Sequence, residues 1–289
     1  MRRRHFLKIA ATALLPLGAR PAQASVWRGQ ALGADLDITL TGRGAEETLA
    51  DLPPLLRRLE GVFSLYHPSE LTRLNATGHG ELSPWLARAF DLTDQLHAVT
   101  GGVFDPTVQP LWRALAEGGN QQGARAQIGW HRLRRTGREV TLDPGQALTF
   151  NGLAQGLGAD LVRDWLRERG FEHALVNLGE YAALGGPFRL GIEDPDAGVL
   201  GERSLTDRAL AVSAPTAMTV GGQAHILHPK GQPARWSSVA VETDSAALAD
   251  GLSTALVFAD AAEIRRIRAQ VPQLHRVTLV NRKGDLWTV

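Results

Sequence analysis

The sequence predicts an α+β fold in which mixed, largely antiparallel sheets carry packed helices in one compact unit. Three observations lead to this expectation. Stretches with strand-like alternation are interspersed with stretches of helical periodicity. No internal repeat or low-complexity linker marks a domain boundary. The 289 residues, 44% hydrophobic and 21% charged, suffice for a sizeable core and exclude a disordered or fibrous protein.

The first 24 residues have the three zones of an export signal, and we expect them to be removed. A basic start precedes an apolar stretch at 9–17, and Ala22-Gln23-Ala24 supplies a small-x-small cleavage site. The run Arg3-Arg4-His5-Phe6-Leu7-Lys8 resembles the twin-arginine signal for export of folded proteins. A basic amphipathic helix is the alternative, but no acidic residue precedes Asp35. We therefore expect a folded domain over residues 25–289, located in the periplasm.

Charge and composition exclude several classes of protein. Without residues 1–24 the chain has 26 basic and 30 acidic residues, a formal charge of −4, which argues against general nucleic-acid binding. The absence of cysteine excludes disulfides, thiolate metal sites and a lipid-bearing cysteine at the amino terminus. No apolar run approaches the ~18 residues of a spanning helix, so we do not expect the protein itself to cross a membrane.

In the first half of the chain, periodicity predicts one strand, two helices and two hairpins. Residues 36–41 alternate as a strand does, and residues 45–63 have helical spacing interrupted near Pro53-Pro54. Residues 84–100 predict a second helix, ended by Gly101-Gly102. Within residues 131–138 we expect two short strands around a turn, with the arginines facing water. Asp143-Pro144-Gly145 predicts a turn between strands at 140–142 and 148–150.

A glycine-rich passage over residues 151–160 joins the last of these strands to a helix that Gly170 ends. Glycines at such a turn allow the backbone to approach a ligand closely, and free amides at a helix start attract anions such as phosphate. The spacing matches neither common nucleotide-binding glycine motif, however. The glycines could serve turn geometry alone, so both interpretations stay open.

Asp250 and Thr254 lie four residues apart in a segment that predicts a mostly buried helix. Their oxygens share one helix face, and a carboxylate with a hydroxyl suits Mg²⁺, which prefers few protein ligands plus phosphate and water. The structural alternative has equal weight. Asp250 could interact with the helix dipole, while Thr254 could bond the carbonyl four residues back.

Residues 225–229 contain two histidines, and their alternation before Pro229 predicts the end of a strand. Either imidazole could act as a base for a hydroxyl nucleophile. Because His225 and His228 would point to opposite strand faces, a joint metal site is not expected. A structural histidine is the default interpretation for each. In the loop after residue 100, Asp105 before Pro106 predicts an Asx-type turn.

Taken together and in order, four segments resemble the ApbE family of FAD:protein FMN transferases. The first, over residues 63–75, has Phe-Ser-x-Tyr followed by Ser-x-Leu-x-x-Leu-Asn. The second, over residues 102–111, is similar to that family's Phe-Asp-Pro-Thr-Val-x-Pro-Leu loop. The third is Gly-Leu-Ala-Gln-Gly-x-x-x-Asp over residues 152–160, with Val-Asn-Leu-Gly at 176–179. The last, over residues 249–256, is similar to the family's Ala-Asp-x-Leu-Ser-Thr-Ala-Leu helix.

The resemblance implies an enzyme that, with Mg²⁺, cleaves FAD, releases AMP and attaches FMN to a threonine hydroxyl of an exported flavoprotein. Mg²⁺ would be held by Asp250, Thr254 and the carbonyl of Gly152, and His225 would be the base. The residues implied for FAD binding come from several segments: Leu32, Tyr66, Val103, Phe104, Asp105, Thr149 and Gln155.

Three positions depart from the family pattern. His228 stands where the family has aspartate in His-x-x-Asp-Pro, Gln155 stands where many members have lysine, and Glu180 ends a segment that commonly reads Gly-Gly-Asp. The last two are similar to the branch associated with nitrous-oxide reductase maturation, whose target is a membrane-anchored flavoprotein. Three alternatives stay open: an FAD pyrophosphatase, a non-catalytic flavin carrier, and a structural or partner-binding protein without flavin affinity.

Overall fold

The structure, a computed structural model, describes residues 12–13, 24–194 and 198–289. Over these residues it confirms the α+β class and a single compact unit. Most of the expected export signal lies outside the described residues; from it the structure shows the short strand Thr12–Ala13 and Ala24. None of the helices in these ranges has the length and apolar character needed to cross a membrane.

Groups of strands and groups of helices are interspersed along the described chain. The strands are β1 (Thr12–Ala13), β2 (Ala24–Ala31), β3 (Ala34–Thr41), β4 (His79–Glu81), β5 (Arg134–Thr136), β6 (Glu139–Thr141), β7 (His173–Asn177), β8 (Tyr181–Leu184), β9 (Phe188–Asp194), β10 (Gly198–Leu205), β11 (Ala209–Ser213), β12 (Thr219–Val220), β13 (Gln223–Ala224), β14 (Ser238–Thr243), β15 (Leu274–Val280) and β16 (Leu286–Thr288). The helices are α1 (Ala45–Ala50), α2 (Leu52–Phe63), α3 (Glu70–Thr77), α4 (Pro84–Val99), α5 (Gln109–Glu117), α6 (Gln121–Arg125), α7 (Ala154–Glu168), α8 (Ala246–Leu256) and α9 (Ala261–Gln270).

An eight-stranded antiparallel sheet with the order β16-β15-β14-β11-β8-β7-β3-β2 forms the centre of the molecule. One face packs against α7 and α8, with α2 and α4 lying over them, and this layer holds the main apolar core. The other face packs against the small sheet formed by β1, β9 and β10 through a second apolar cluster. Alternate residues of the central strands therefore enter different cores, as the two-residue period requires.

The helical predictions hold because local sequence determines where these helices begin and end. Helical structure over residues 45–63 is divided at Asp51, and α2 starts with Pro53 in its first turn, where the missing N–H is tolerated. Helix α4 begins after Ser83, whose hydroxyl accepts the Leu86 N–H, and it ends before Gly101-Gly102, both with positive φ.

One predicted hairpin is present with shifted bounds and the other is wrong. Strands β5 and β6 pair around Gly137, but the second strand lies beyond the predicted residues 131–138, and Trp130–Arg132 form a helical turn. Residues 148–150 form no strand, because the second edge of β6 is occupied by β4 from a distant part of the chain. The Leu148 backbone instead exchanges two hydrogen bonds with the Asn75 side chain, at 2.7 and 2.9 Å. The glycine-rich passage therefore follows a loop rather than a strand.

The expected strand end at residues 225–229 is also corrected. Strand β13 stops at Ala224, and the two histidines lie in the loop that follows. The backbone N–H of His225 points at the carbonyls of Pro215 and Met218, at 3.3 and 3.2 Å, rather than at a neighbouring strand. Because neither histidine lies on a strand, the expected opposite orientation of their imidazoles no longer follows from strand geometry.

Candidate functional site

A cavity of about 490 Å³ lies where the loop after α4, the start of α7, the end of β11, helix α8 and the His225 loop meet. It has the size and the mixed apolar and polar lining of a small-molecule site. Most of the residues that the sequence singled out line it: Val103, Phe104, Asp105, Thr149, Gly152, Gln155, His225, Asp250 and Thr254. The fold thus brings together segments that are up to about 150 residues apart in sequence.

Leu32 and Tyr66 are not among the residues that line this cavity. Leu32 is nevertheless adjacent, because its carbonyl accepts a 3.3 Å hydrogen bond from the Gln155 amide. Its φ of 50° is held by the tight turn between β2 and β3 and by a bond from its N–H to Glu60. Tyr66 lies in the loop before α3 with 67% of its surface exposed.

Asp250 projects from α8 and is buried, although it lines the cavity. Its Oδ2 accepts the Gly156 N–H at 3.0 Å. Burial raises the pKa of Asp250 from its ordinary 3.8 to about 7, against the opposing effect of that hydrogen bond. A carboxylate that is costly to ionise in an apolar helix favours a positively charged partner.

Close contact between α7 and α8 explains one of the glycines. A Cβ on Gly156 would lie 2.2 Å from the Ala246 carbonyl oxygen, so the two helices touch backbone to backbone there. Buried Asp160 holds the start of α8, accepting the N–H groups of Ala246 and Ala247 at 2.9 and 3.0 Å. Helix-packing geometry therefore accounts for Gly156, and it also fixes the position of Asp250.

Gly152 has a different environment, because a Cβ there would lie 2.8 Å from the Thr254 hydroxyl. The Thr254 oxygen is also 3.5 Å from the Ser213 hydroxyl on β11. In the described structure the side-chain hydroxyl that bonds the Asp250 carbonyl is that of Ser253, at 2.9 Å, and not that of Thr254. The structural alternative for Thr254, a bond to its own helix backbone, is thus not what the structure shows.

These oxygens fit a hard divalent cation. A carboxylate, a hydroxyl and the backbone of Gly152 meet at one wall of the cavity, and such a small oxygen set suits Mg²⁺ that keeps water or phosphate oxygens as its other ligands. Across the described ranges no group of three or more His, Cys, Asp or Glu side chains could hold a metal.

Glu180 is a cavity residue that sequence reasoning did not assign a role. It is buried, and its Oε2 accepts the Val212 N–H at 3.1 Å. Burial first and then the negative charge of Asp250 hold the pKa of Glu180 well above its ordinary value, whereas the Val212 N–H lowers it. The sequence feature that could have indicated Glu180 is that it is the single acidic residue in the largely apolar β7–β8 region.

His225 also lines the cavity, and it lies in the loop that follows β13. Its Nδ1 lies 3.0 Å from the Pro215 carbonyl oxygen and 3.1 Å from that of Met218. Carbonyl oxygens only accept, so Nδ1 carries the proton in the neutral ring and the lone pair resides on Nε2. Because Nδ1 is occupied as a donor, Nε2 is the ring nitrogen that could accept a proton as a general base.

Asp105 holds the loop that precedes α5 through hydrogen bonds to its backbone. Its carboxylate accepts the backbone N–H groups of Thr107 and Trp130, at 2.9 and 3.1 Å, and the first of these bonds is the predicted Asx-type turn. Phe104, next to it, contributes an apolar wall of the cavity. Asp105 therefore shapes the cavity through the backbone it holds.

A model of the ApbE family matches residues 32–277. The chain belongs to the ApbE family. All four segments that carry the resemblance fall inside the matched range, and the last three of them contribute residues to the cavity described above.

Proteins similar to this ApbE-family chain include two named FAD:protein FMN transferase. The one from Vibrio cholerae serotype O1 (strain ATCC 39541 / Classical Ogawa 395 / O395) is 28% identical over 293 residues, covering 88% of this chain and 87% of that protein. The one from Klebsiella pneumoniae (strain 342) is 33% identical over 73 residues, covering 24% of this chain and 23% of that protein.

Solved ApbE structures share the fold along nearly the whole chain. The apo form of the Pseudomonas stutzeri flavinyl transferase ApbE superposes with a TM-score of 0.80 at 24% identity, covering 94% of this chain and 97% of that one. The ApbE protein from Thermotoga maritima gives 0.81 at 23% identity, covering 92% and 96%. At this identity the likeness concerns the fold.

Proposed function

We propose that this chain is a FAD:protein FMN transferase. It moves the FMN half of FAD onto a threonine hydroxyl of an acceptor flavoprotein and releases AMP. The observation that carries the proposal is the cavity of an ApbE-family chain in which Asp250, Thr254 and Gly152 meet a histidine of the base tautomer. Family membership supports the choice of substrate, and the convergence of these residues on one cavity supports the roles proposed for them.

In the proposed reaction the threonine oxygen attacks the phosphorus on the FMN side of the FAD pyrophosphate. The bond from that phosphorus to the bridging oxygen breaks, and the AMP phosphate leaves with the electron pair. The hydroxyl proton passes to Nε2 of His225, which the bonds from Nδ1 to the Pro215 and Met218 carbonyls hold in place. When bound, Mg²⁺ would supply neutralisation of the negative charge on the pyrophosphate oxygens.

Other residues would bind and orient the flavin nucleotide. Val103 and Phe104 provide apolar surface, and Gln155 is fixed by its bond to the Leu32 carbonyl. Thr149 lies at the cavity wall, where its N–H is bonded to the Pro106 carbonyl at 2.9 Å. Holding both reactants in one cleft converts a bimolecular step into an effectively intramolecular one. For Tyr66, which is exposed on the loop before α3, the proposal of flavin contact rests on the resemblance alone.

The test is a transfer assay with FAD, Mg²⁺ and an acceptor protein that carries a target threonine. We expect an acceptor band that fluoresces under ultraviolet light after a denaturing gel and that disappears with EDTA. An acceptor with valine at the target position is the matched control. His225→Asn is expected to lower the rate by roughly 10²–10⁴-fold, as loss of a general base does.

Other outcomes identify the alternatives. Release of AMP and free FMN with every acceptor tested would make the protein an FAD pyrophosphatase. Tight FAD binding without AMP release would make it a flavin carrier, and absence of flavin affinity would contradict both the enzyme and the carrier hypotheses.

We further propose that residues 1–24 direct export through the twin-arginine route and that the domain over residues 25–289 acts in the periplasm on a periplasmic or membrane-anchored acceptor. The paired Arg3-Arg4 and the Ala-Gln-Ala site support this proposal. The mature protein is expected to begin at Ser25, as measured by intact mass. A mature protein retaining residues 1–24, or export unaffected by lysine at both Arg3 and Arg4, would contradict it.

A further inference from the structure

The His225 loop contains a second histidine that replaces the family's aspartate, and the structure shows how it is used. His228 is buried, and its Nδ1 accepts the backbone N–H of Lys230 at 2.9 Å. An aspartate two residues before an N–H makes the same bond in an Asx turn. Because Nδ1 accepts, the proton of the neutral ring is on Nε2.

Two further contacts hold this turn. Arg125, at the end of α6, donates from Nη1 to the carbonyls of His228 and Pro229 at 3.2 and 3.0 Å. The N–H of Gly231 returns to the His228 carbonyl at 2.9 Å, with φ of 77° at Gly231. The turn is thus closed on itself by His228 and tied to α6 by one guanidinium.

The imidazole of His228 also contacts Phe258, a residue of the cavity wall. Its ring packs edge-on against Phe258, with centroids 5.0 Å apart and planes at 87°. Phe258 lines the cavity together with His225, and its N–H is bonded to Ala255 just after α8. His228 therefore links the loop that carries His225 to the end of the helix that carries Asp250 and Thr254.

We propose that His228 is a positioning residue, whose neutral imidazole closes the turn after His225 and fixes that base against the cavity. This inference rests on the proposed function for the role of His225. Burial first, then the positive charges of Lys230 and Arg125, lower the pKa of His228, and Glu263 acts in the opposite direction. The groups around the ring thus favour the neutral form in which Nδ1 accepts.

The test compares two replacements in the full chain. His228→Asn keeps an acceptor at the Nδ1 position, whereas His228→Leu has similar bulk and removes it. His131→Leu, at an exposed position on the turn Trp130–Arg132, is the matched control for losing a histidine. Two quantities are measured: kcat with saturating FAD, and the tautomer of His225 by ¹⁵N NMR without any ligand.

We expect His228→Leu to lower kcat roughly 10- to 100-fold, as misplacement of a catalytic group does, and to convert His225 from one tautomer to a mixture. His228→Asn should keep the wild-type tautomer and stay within about threefold of wild-type kcat, on the same reasoning. Arg125→Gln changes a partly exposed side chain that also holds the turn. It should lower kcat and mix the His225 tautomers, as His228→Leu does. The test therefore stays valid if His228→Leu does not fold.

Two results would overturn the proposal. One is an unchanged His225 tautomer and kcat in folded His228→Leu, and the other is equal damage in the asparagine and leucine variants. Failure of the proposed function is distinguishable, because a wild-type protein without transfer activity would still report the His225 tautomer in the ligand-free spectra.

Discussion

At the scale of single residues, the most consequential side chain is Asp250, because the fold makes its ionisation costly. Its pKa is 3.8 ordinarily and about 7 in the folded protein, so between these values the folded chain holds a proton that the unfolded chain has lost. Raising the pH across this window therefore lowers the free energy of unfolding. In the absence of a cation, the carboxylate is a source of instability.

Asp250→Asn should consequently be more stable than wild type in EDTA at pH 8, by about 1–3 kcal/mol, because the amide removes the charge and still accepts the Gly156 N–H. The advantage should shrink at pH 5. Urea unfolding at both pH values measures this difference. A variant less stable than wild type at pH 8 would show that Asp250 is a structural residue; the loss of Mg²⁺-dependent transfer is expected in either case.

His228 predicts a pH dependence of opposite sign. Its folded-state pKa lies below the ordinary 6.5, so the unfolded chain binds a proton before the folded chain does. This contribution to stability is complete above pH 6.5 and is lost as the pH falls toward the folded pKa. We expect the decline in unfolding free energy below pH 6.5 to be shallower in His228→Asn. Parallel pH profiles for the two proteins would contradict this assignment.

At the scale of elements, the contact between α7 and α8 determines the site. Gly156→Ala would place a methyl group 2.2 Å from the Ala246 carbonyl oxygen, and the helices would have to separate. We expect a loss of about 1–3 kcal/mol, the usual cost of overpacking, and weaker Mg²⁺ binding, because Asp250 moves with α8. Thermal unfolding and calorimetric Mg²⁺ titration measure the two effects.

The matched control for this change is Gly61→Ala. Gly61 lies in α2, with nothing within 4 Å of an added Cβ. Alanine there should stabilise the protein by about 0.4–1 kcal/mol and leave the Mg²⁺ affinity unchanged. Equal effects of the two substitutions would mean that the helix contact does not govern the site.

Elements whose ends are determined locally were predictable, and elements that depend on distant partners were not. Helix α4 follows from the Ser83 cap, its periodicity and two terminal glycines. The strand expected at residues 148–150 failed because β4, some sixty residues earlier, pairs with β6 instead. A single sequence contains no local sign of which strand occupies the edge of another strand.

At the scale of the whole molecule, the cavity was predictable only through the order of four segments along the chain. No one of them places Thr254 beside Gly152; that proximity arises from the packing of α8 on α7. The sequence did not predict Glu180 as a site residue. Its raised pKa comes from its burial and from the nearby charge of Asp250, and both depend on the fold.

Because residues from several regions that are distant in sequence line the cavity, ligand binding should stabilise the chain as a whole. At ligand concentrations of about 100 times Kd the gain is about 2.7 kcal/mol, which for a chain of this size corresponds to a Tm rise of roughly 5–10 °C. We expect this rise with FAD and Mg²⁺ together and a much smaller one with FAD and EDTA. Differential scanning calorimetry measures it, and equal shifts with and without Mg²⁺ would contradict joint binding.

The small sheet of β9 and β10 lies on the face of the central sheet away from α7 and α8, and none of its described residues lines the cavity. Its hairpin is consequently a suitable attachment point. A fluorophore or surface tether coupled to Glu202 on β10, an exposed side chain of this sheet, would leave the mouth of the cleft open to both FAD and a protein acceptor. Successive encounters with the two substrates could then be followed on single immobilised molecules.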